Sequence, residues 1–331
     1  VTEKTSYQAE LLYNRLVKRY RHLKKWASRT GINAYRLYDR DIPEIPLVLD
    51  LYDKAVSGSF FSGVEKEESW LPAIKASISD ALNLSLDSIF IKERRQMKQR
   101  QIKGLQYERI SSREIYCNVI EGDLKFRVNL SDYLDTGLFL DSRKKRAFLR
   151  GCSEGKRVLN LFSYTCSLSV AAALGGAIQV DSVDLSNTYL DWGKKNFALN
   201  SLNAVNSDFN TGRIKRSKYS LIRADVLDFI ANSAEKLSPW DIIILDPPSF
   251  SNSKKMNSSF DIKRDHEDII NKCLSLLSPS GILLFSSNAR GFKLHEENFP
   301  DWKIKNLTKS FMDEDFRGRK IPSNYVFSLS S

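Results

Sequence analysis

The chain has 331 residues, 42% hydrophobic and 27% charged, the profile of a soluble globular protein of two or perhaps three domains. No apolar run approaches the roughly 18 residues of a membrane span. The formal net charge of +11 favours a polyanionic partner, RNA or DNA ahead of an acidic membrane surface, over a merely basic soluble protein. Four cysteines stand far apart without a C-x-x-C pair, and three histidines are as scattered. We therefore expect reduced thiols, a cytoplasmic location and no metal site. The chain opens on Val1 rather than Met and shows no signal-peptide pattern, as expected of an internal portion of a longer protein.

In chain order, residues 7–29 read as one helix, with Leu12, Leu16, Tyr20, Leu23 and Trp26 at three- and four-residue steps and Gly31 as a stop. Arg15, Lys18, Arg19, Arg21, Lys24, Lys25 and Arg29 cover its other faces, either as a phosphate-binding face or as a solvated one. Residues 32–130 read as a small α+β module. Strands are expected at 34–38, 47–52, 55–61, 88–92, 114–120 and 125–130, with a helix at 69–82 and a hairpin turn at Gly122. Within this module, residues 92–104 set six cations against one carboxylate. A strand running into such a loop predicts an RNA grip through Arg94, Arg95, Lys98, Arg100 and Lys103, the alternative being a solvated tip.

From 131 a bridge leads to a helix starting near Asp141, which is expected to cap it. Strands and helices then alternate. Strands are expected at 157–161, 178–183, 219–222, 242–245 and 282–286, and helices at 167–174, 188–199, 226–231 and 265–277. Residues 302–307 and 325–329 are expected as the final strands. Such alternation means βαβ units in a mostly parallel, doubly wound sheet over 131–331.

Four strand ends carry the chemistry. Ile242 to Leu245 is an apolar run suited to a strand buried on both faces, and Pro247 and Pro248 end it, leaving Asp246 at its carboxyl end. Asp184 ends the second strand, where a carboxylate accepts the hydroxyls of a ribose; Asp225 ends the third, placed for an adenine amine or as a plain helix cap. The first turn, from Asn160 to Ser167, lacks the G-x-G-x-x-G of a pyrophosphate site, which argues against a dinucleotide. The set in this order predicts the S-adenosyl-L-methionine pocket of a Rossmann-like class I methyltransferase.

Three stretches carry a family resemblance: D-Y-L-D-T-G-L-F-L-D at 132–141, N-L-F-S-Y-T at 160–165 and D-P-P-S-F-S-N-S-K at 246–254. With Y-R-L-Y-D at 35–39, they make nearly the whole chain resemble the RlmK half of the bifunctional RlmKL 23S rRNA methyltransferases. The RlmI-type rRNA methyltransferases share the layout. The resemblance implies a β-β-α-β-β module ahead of the methyltransferase domain, S-adenosyl-L-methionine as cofactor and N7 of a guanine in 23S rRNA as target. It also implies a THUMP domain and a guanine-N2 methyltransferase preceding this part in the full-length family protein. Cofactor contacts are expected from Phe139, Arg143, Asn160, Phe162, Ser163 and Tyr164. Thr165, Asp184, Leu185, Asp225, Val226 and Asp246 complete that set. Asp246, Pro247, Pro248 and Phe250 are expected at the reacting base, with Lys254 and Lys255 on phosphate.

Three departures stand out. Cys166 replaces the family's usual glycine, and its side chain is expected to narrow the pocket. Residues 200–225 run longer than usual and carry Arg213, Lys215, Arg216 and Lys218, either an RNA contact or a surface insertion. Ser286-Ser287-Asn288 stands where cytosine-type enzymes need a cysteine. Cytosine C5 chemistry requires a thiolate that adds to the ring, whereas guanine N7 has a lone pair and no proton to remove. Two alternatives stay open: transfer to guanine N2 or adenine N6, and a non-catalytic RNA-binding module that keeps the fold.

Overall fold

The computed structural model describes residues 1–62, 66–95, 109–209, 217–233, 239–251 and 260–330, and every count below refers to these residues. They form two compact units, Val1–Leu140 and Asp141–Ser331.

The first unit opens with α1 (Glu3–Thr30), four residues longer at its start than its apolar pattern suggests, because the Thr2 hydroxyl accepts the Thr5 amide and caps it there. Gly31 closes the helix at φ 66°, in the left-handed region. Leu12, Leu16, Leu23 and Trp26 are buried along one face. That face packs against α2 (Trp70–Leu82) and β1 (Ala34–Asp39), so the helix is part of the unit's core. The sheet runs in order β1, β2 (Leu47–Tyr52), β3 (Ala55–Ser62) and β4 (Ile89–Arg95). The first two pairings are antiparallel; β3 and β4 are parallel, with α2 as the crossover. β5 (Tyr116–Glu121) and β6 (Leu124–Asn129) form the expected hairpin, with Gly122 at φ 61° in its turn.

The second unit is built on an eight-stranded sheet, with a separate two-stranded pair, among the described residues. Its elements are α3 (Arg143–Cys152), β7 (Arg157–Leu161), α4 (Ser167–Leu174), β8 (Gln179–Asp184), α5 (Asn187–Leu199), β9 (Val205–Asp208), β10 (Tyr219–Arg223) and α6 (Val226–Ser233). After them come β11 (Trp240–Leu245), β12 (Phe250–Ser251), β13 (Phe260–Asp261), α7 (Ile262–Leu274), β14 (Leu277–Ser287), β15 (Trp302–Asn306) and β16 (Ser323–Leu329). The spatial order is β15-β16-β14-β11-β7-β8-β10-β9. Strands β7 to β11 and β14 are mutually parallel, and β15 and β16 are antiparallel additions. The chain leaves β7 toward β8 and later returns to β11 on the other side, so the sheet reverses direction between β7 and β11. Ligand crevices in open α/β sheets form at such a point, beyond the carboxyl ends of the strands.

Three local expectations are corrected. Asp141 does not cap α3: residues Leu140–Ser142 wind into a 3-10 turn, and Ser142 takes the capping position without a side-chain bond. α7 begins and ends three residues early, because the Asp261 side chain accepts the Lys263 amide and β14 starts at Leu277. The edge strand β9 has no apolar run and pairs on one side only, so no pattern announced it. Among the described residues, no helix is long and apolar enough to cross a membrane.

Candidate active site

Strand register brings the singled-out strand ends together. Leu245 pairs with Leu161, Leu161 with Val183, and Val183 with Ile222. Asp246, Phe162, Asp184 and Arg223 therefore follow at one level along the carboxyl edge of the sheet.

The turn after β7 is tightly wound. Phe162, Tyr164 and Cys166 all have positive φ, at 57°, 50° and 61°. Three left-handed non-glycine residues in five positions is a costly backbone, of the kind that persists where a ligand site needs it. Asp184 holds this turn from the neighbouring strand. Its Oδ2 accepts the Tyr164 amide at 2.8 Å and its Oδ1 the Ser186 amide at 2.9 Å. Burial pushes its carboxyl up to about 6, although these amide bonds pull the other way. Tyr164 packs edge-on against Tyr189 at 4.5 Å. Ser163 and Thr165 are buried.

Cys166 does not narrow the pocket through an exposed thiol. The residue is fully buried, and its Sγ lies where a Cβ on Gly193 of α5 would come within 2.5 Å. The missing side chain of Gly193 thus makes the room that Cys166 fills. Burial pushes this thiol up to about 12, so it is not a nucleophile at neutral pH.

The remaining expected positions fall as follows. Asn160 is buried, its amide donating to Ser169 Oγ at 2.8 Å, while its Oδ1 has no hydrogen-bond partner among the described residues. Asp225 caps α6, its Oδ1 accepting the Leu227 amide at 2.8 Å. Leu185 is half-buried and Val226 buried beside these two carboxylates in sequence. Pro247 is buried and Pro248 half-buried. Phe250 sits in β12, which pairs with β13, and remains 53% exposed. The Arg143 guanidinium bonds Asp313 and Asp315 at 2.9 and 3.0 Å. Phe139 lies in the first unit and is exposed. Arg94, also in that unit, pairs with Asp135 at 2.5 Å and with Ser59 Oγ at 3.0 Å. Arg95 ends β4. Lys98, Arg100, Lys103, Lys254 and Lys255 lie outside the described residues, as do Arg213, Lys215 and Arg216.

One residue at the site escaped the sequence reading. Lys145 of α3 is 2% exposed, and its Nζ donates to Asp246 Oδ2 at 2.6 Å and to Ser286 Oγ at 3.0 Å. It sits inside the basic run Arg143-Lys144-Lys145-Arg146, where nothing marks one cation from the next. The only available signal was helical spacing, since Arg146 and Leu149, three and six residues after Arg143, are buried with it.

These residues suit S-adenosylmethionine. Asp184 offers a carboxylate suited to ribose hydroxyls, and the glycine-poor turn lacks a phosphate cradle. Among the described residues no cluster of three or more His, Cys, Asp or Glu could hold a metal ion.

Comparison with known proteins agrees. A family model for S-adenosylmethionine-dependent methyltransferases matches residues 94–297. The ribosomal RNA large subunit methyltransferase K of Neisseria meningitidis serogroup B is 41% identical over 93% of this chain and 84% of its own length. The ribosomal RNA large subunit methyltransferase K/L of Shewanella sp. (strain MR-4) is 42% identical over 88% of this chain, which spans only 40% of that longer relative. The crystal structure of SMU.776 complexed with SAH superposes with a TM-score of 0.73, at 25% identity, over 97% of this chain and 82% of that one. The chain belongs to the S-adenosylmethionine-dependent methyltransferases, in the family of the ribosomal RNA large subunit methyltransferases K.

Proposed function

We propose that the chain methylates 23S ribosomal RNA at N7 of a guanine. The observation that carries this reading is the chemistry of two neighbouring strand ends, those of β11 and β14. Asp246-Pro247-Pro248 follows β11 and Ser286-Ser287-Asn288 ends β14, so neither offers a thiol. The buried Cys166 offers none either. A route that needs covalent addition to a pyrimidine ring therefore has no nucleophile among these residues. Guanine N7 needs none, because its in-plane lone pair attacks directly. Relatives named for ribosomal RNA and the net charge of +11 support the polyanionic substrate.

When bound, the cofactor supplies an electrophilic methyl group on a sulfonium. The protein's part is placement and electrostatics. Asp184 accepts the ribose hydroxyls, and Asp225, with Oδ1 on its helix, offers Oδ2 to the adenine amine. The exposed ring of Phe250 stacks on the base taken out of its helix, against the rigid Pro247-Pro248 edge. Asp246 orients that base and removes no proton. Arg95, Lys98, Arg100, Lys103, Lys254 and Lys255 meet phosphates. A THUMP and guanine-N2 methyltransferase portion, present in the longer K/L-type arrangement, is the proposed partner segment.

The test is methyl transfer from labelled S-adenosylmethionine to protein-free 23S rRNA, followed by nucleoside analysis. N7-methylguanosine is the expected product. N2-methylguanosine or N6-methyladenosine would overturn the target atom while leaving the cofactor and fold in place. Cofactor binding without any transfer to rRNA would count against the proposed substrate.

A further inference from the structure

A buried ammonium joins three strand ends at the site. Lys145 reaches from α3 to Asp246, just past β11, and to Ser286 on β14; Ser286 Oγ then donates to Asn324 Oδ1 on β16 at 2.9 Å. Asn324 is fixed in turn, its Nδ2 donating to Pro322 O at 2.6 Å and its amide to Thr308 Oγ1 at 2.9 Å. Lys145, Ser286 and Asn324 are each at most 2% exposed, whereas the Asp246 side chain is 28% exposed. The chain of bonds thus begins in the core and ends on the partly exposed carboxylate of Asp246.

Burying an ammonium costs desolvation, and a well-packed apolar pair of similar volume often serves stability as well or better. A buried ion pair is therefore weak evidence of a stabilising role. Its geometry offers another. Asp246 follows the last paired residue of β11, and a carboxylate past a strand end is otherwise free to choose its rotamer. Lys145 takes Oδ2 and fixes that choice. Oδ1 accepts no hydrogen bond among the described residues and is left as the open acceptor of this carboxylate.

We propose that Lys145 is the positioning residue for Asp246: the Lys145–Ser286–Asn324 chain clamps one carboxylate oxygen so that the other presents a single, aimed acceptor to an N–H of the target base. This rests on the placement of Asp246 at the reacting base. Misplacing a group by about 1 Å can cost on the order of 100-fold in rate, so the clamp's value lies in turnover.

The test compares Lys145→Met, which keeps the stem and removes the charge, with Lys145→Arg, Asp246→Asn and the Lys145→Met/Asp246→Asn pair. Methyl transfer to 23S rRNA is followed on whichever nucleoside is formed, alongside cofactor affinity and thermal melting. Lys145→Met should lower kcat by roughly 10- to 100-fold, with cofactor affinity and KM for RNA within about threefold. Lys145→Arg should recover part of the loss, and the double variant should be no worse than Asp246→Asn alone. Full kcat in Lys145→Met would overturn the proposal, as would two losses that simply multiply. A loss confined to melting temperature and cofactor affinity would reduce Lys145 to a structural cation. If Lys145→Met does not fold, Ser286→Ala removes one acceptor and keeps the ion pair; a kcat loss of a few-fold that vanishes in Asp246→Asn is then expected, and an unchanged kcat overturns the clamp. A product other than N7-methylguanosine would refute the target atom without touching this coupling.

Discussion

At the scale of single residues, Asp184 holds the turn after β7 and is proposed to hold the ribose, and the two tasks would pull on its proton in opposite directions. Both carboxylate oxygens already hold backbone amides, and burial still pushes the group up to about 6. An unfolded aspartate titrates near ~3.9, so the folded pKa is the higher one. Its ionised form is therefore a cost to folding above pH 6, relieved as pH falls from 6 toward 4. Cofactor binding runs the other way. In the proposed site the ribose hydroxyls would donate to the ionised form, so affinity should be full above pH 6 and weaken by up to about tenfold per pH unit below it. Calorimetric titration of S-adenosylmethionine between pH 5 and 8 reads this directly. Asp184→Asn should abolish the pH step and weaken binding by about 1.5–3 kcal/mol, the worth of hydrogen bonds to a charged acceptor. A wild-type affinity flat across pH 6 would remove Asp184 from the ribose.

At the scale of elements, the turn after β7 and helix α5 are matched to each other. Cys166 sits at φ 61°, where glycine is the easy choice, and its side chain uses the space above Gly193. Gly→Ala within a helix ordinarily stabilises by about 0.5–1 kcal/mol. Here an added Cβ would come within 2.5 Å of Cys166 Sγ, so the sign should reverse. Gly193→Ala should destabilise by about 1–3 kcal/mol in urea unfolding. The Cys166→Gly/Gly193→Ala double variant should recover most of that loss, because glycine accepts the left-handed backbone and clears the clash. Additive losses would mean the two positions are independent. The same coupling accounts for a cysteine at a site where the family resemblance leads one to expect glycine.

At the scale of the whole molecule, the excess of cations divides into two kinds. Some are folded back onto carboxylates, as Arg94 is on Asp135, Arg15 on Asp41 at 2.5 Å and Arg143 on Asp313 and Asp315. Others, Lys98, Arg100 and Lys103, lie outside the described residues, and the proposed RNA contact includes them with Arg95, Lys254 and Lys255. Neutralising Lys98, Arg100 and Lys103 together should flatten the slope of log affinity for rRNA against log salt by about 0.7–0.9 for each lost phosphate contact. Cofactor affinity should not change. Arg94→Ala should act mainly on the stability of the first unit, through the unpaired Asp135. A salt slope left intact by the triple change would take Lys98, Arg100 and Lys103 out of the interface.

Much of this protein was legible in the sequence because the signals were local. The apolar run 242–245 closed by two prolines, the alternation of helices and strands after 156, and the carboxylates at 184, 225 and 246 lie within stretches of a few residues, and they established the methyltransferase fold and its cofactor edge. Local patterns also left short elements unread, as with β9, which has four residues and no apolar repeat. The tertiary structure alone showed which carboxylates Lys145 and Arg143 meet. Lys145 meets Asp246 across 101 positions and Ser286 across 141, and Arg143 meets Asp315 across 172. Helical spacing can mark such residues as facing inward, but not what they meet there. Partners so far apart are set by strand order and register, which no short window of sequence contains.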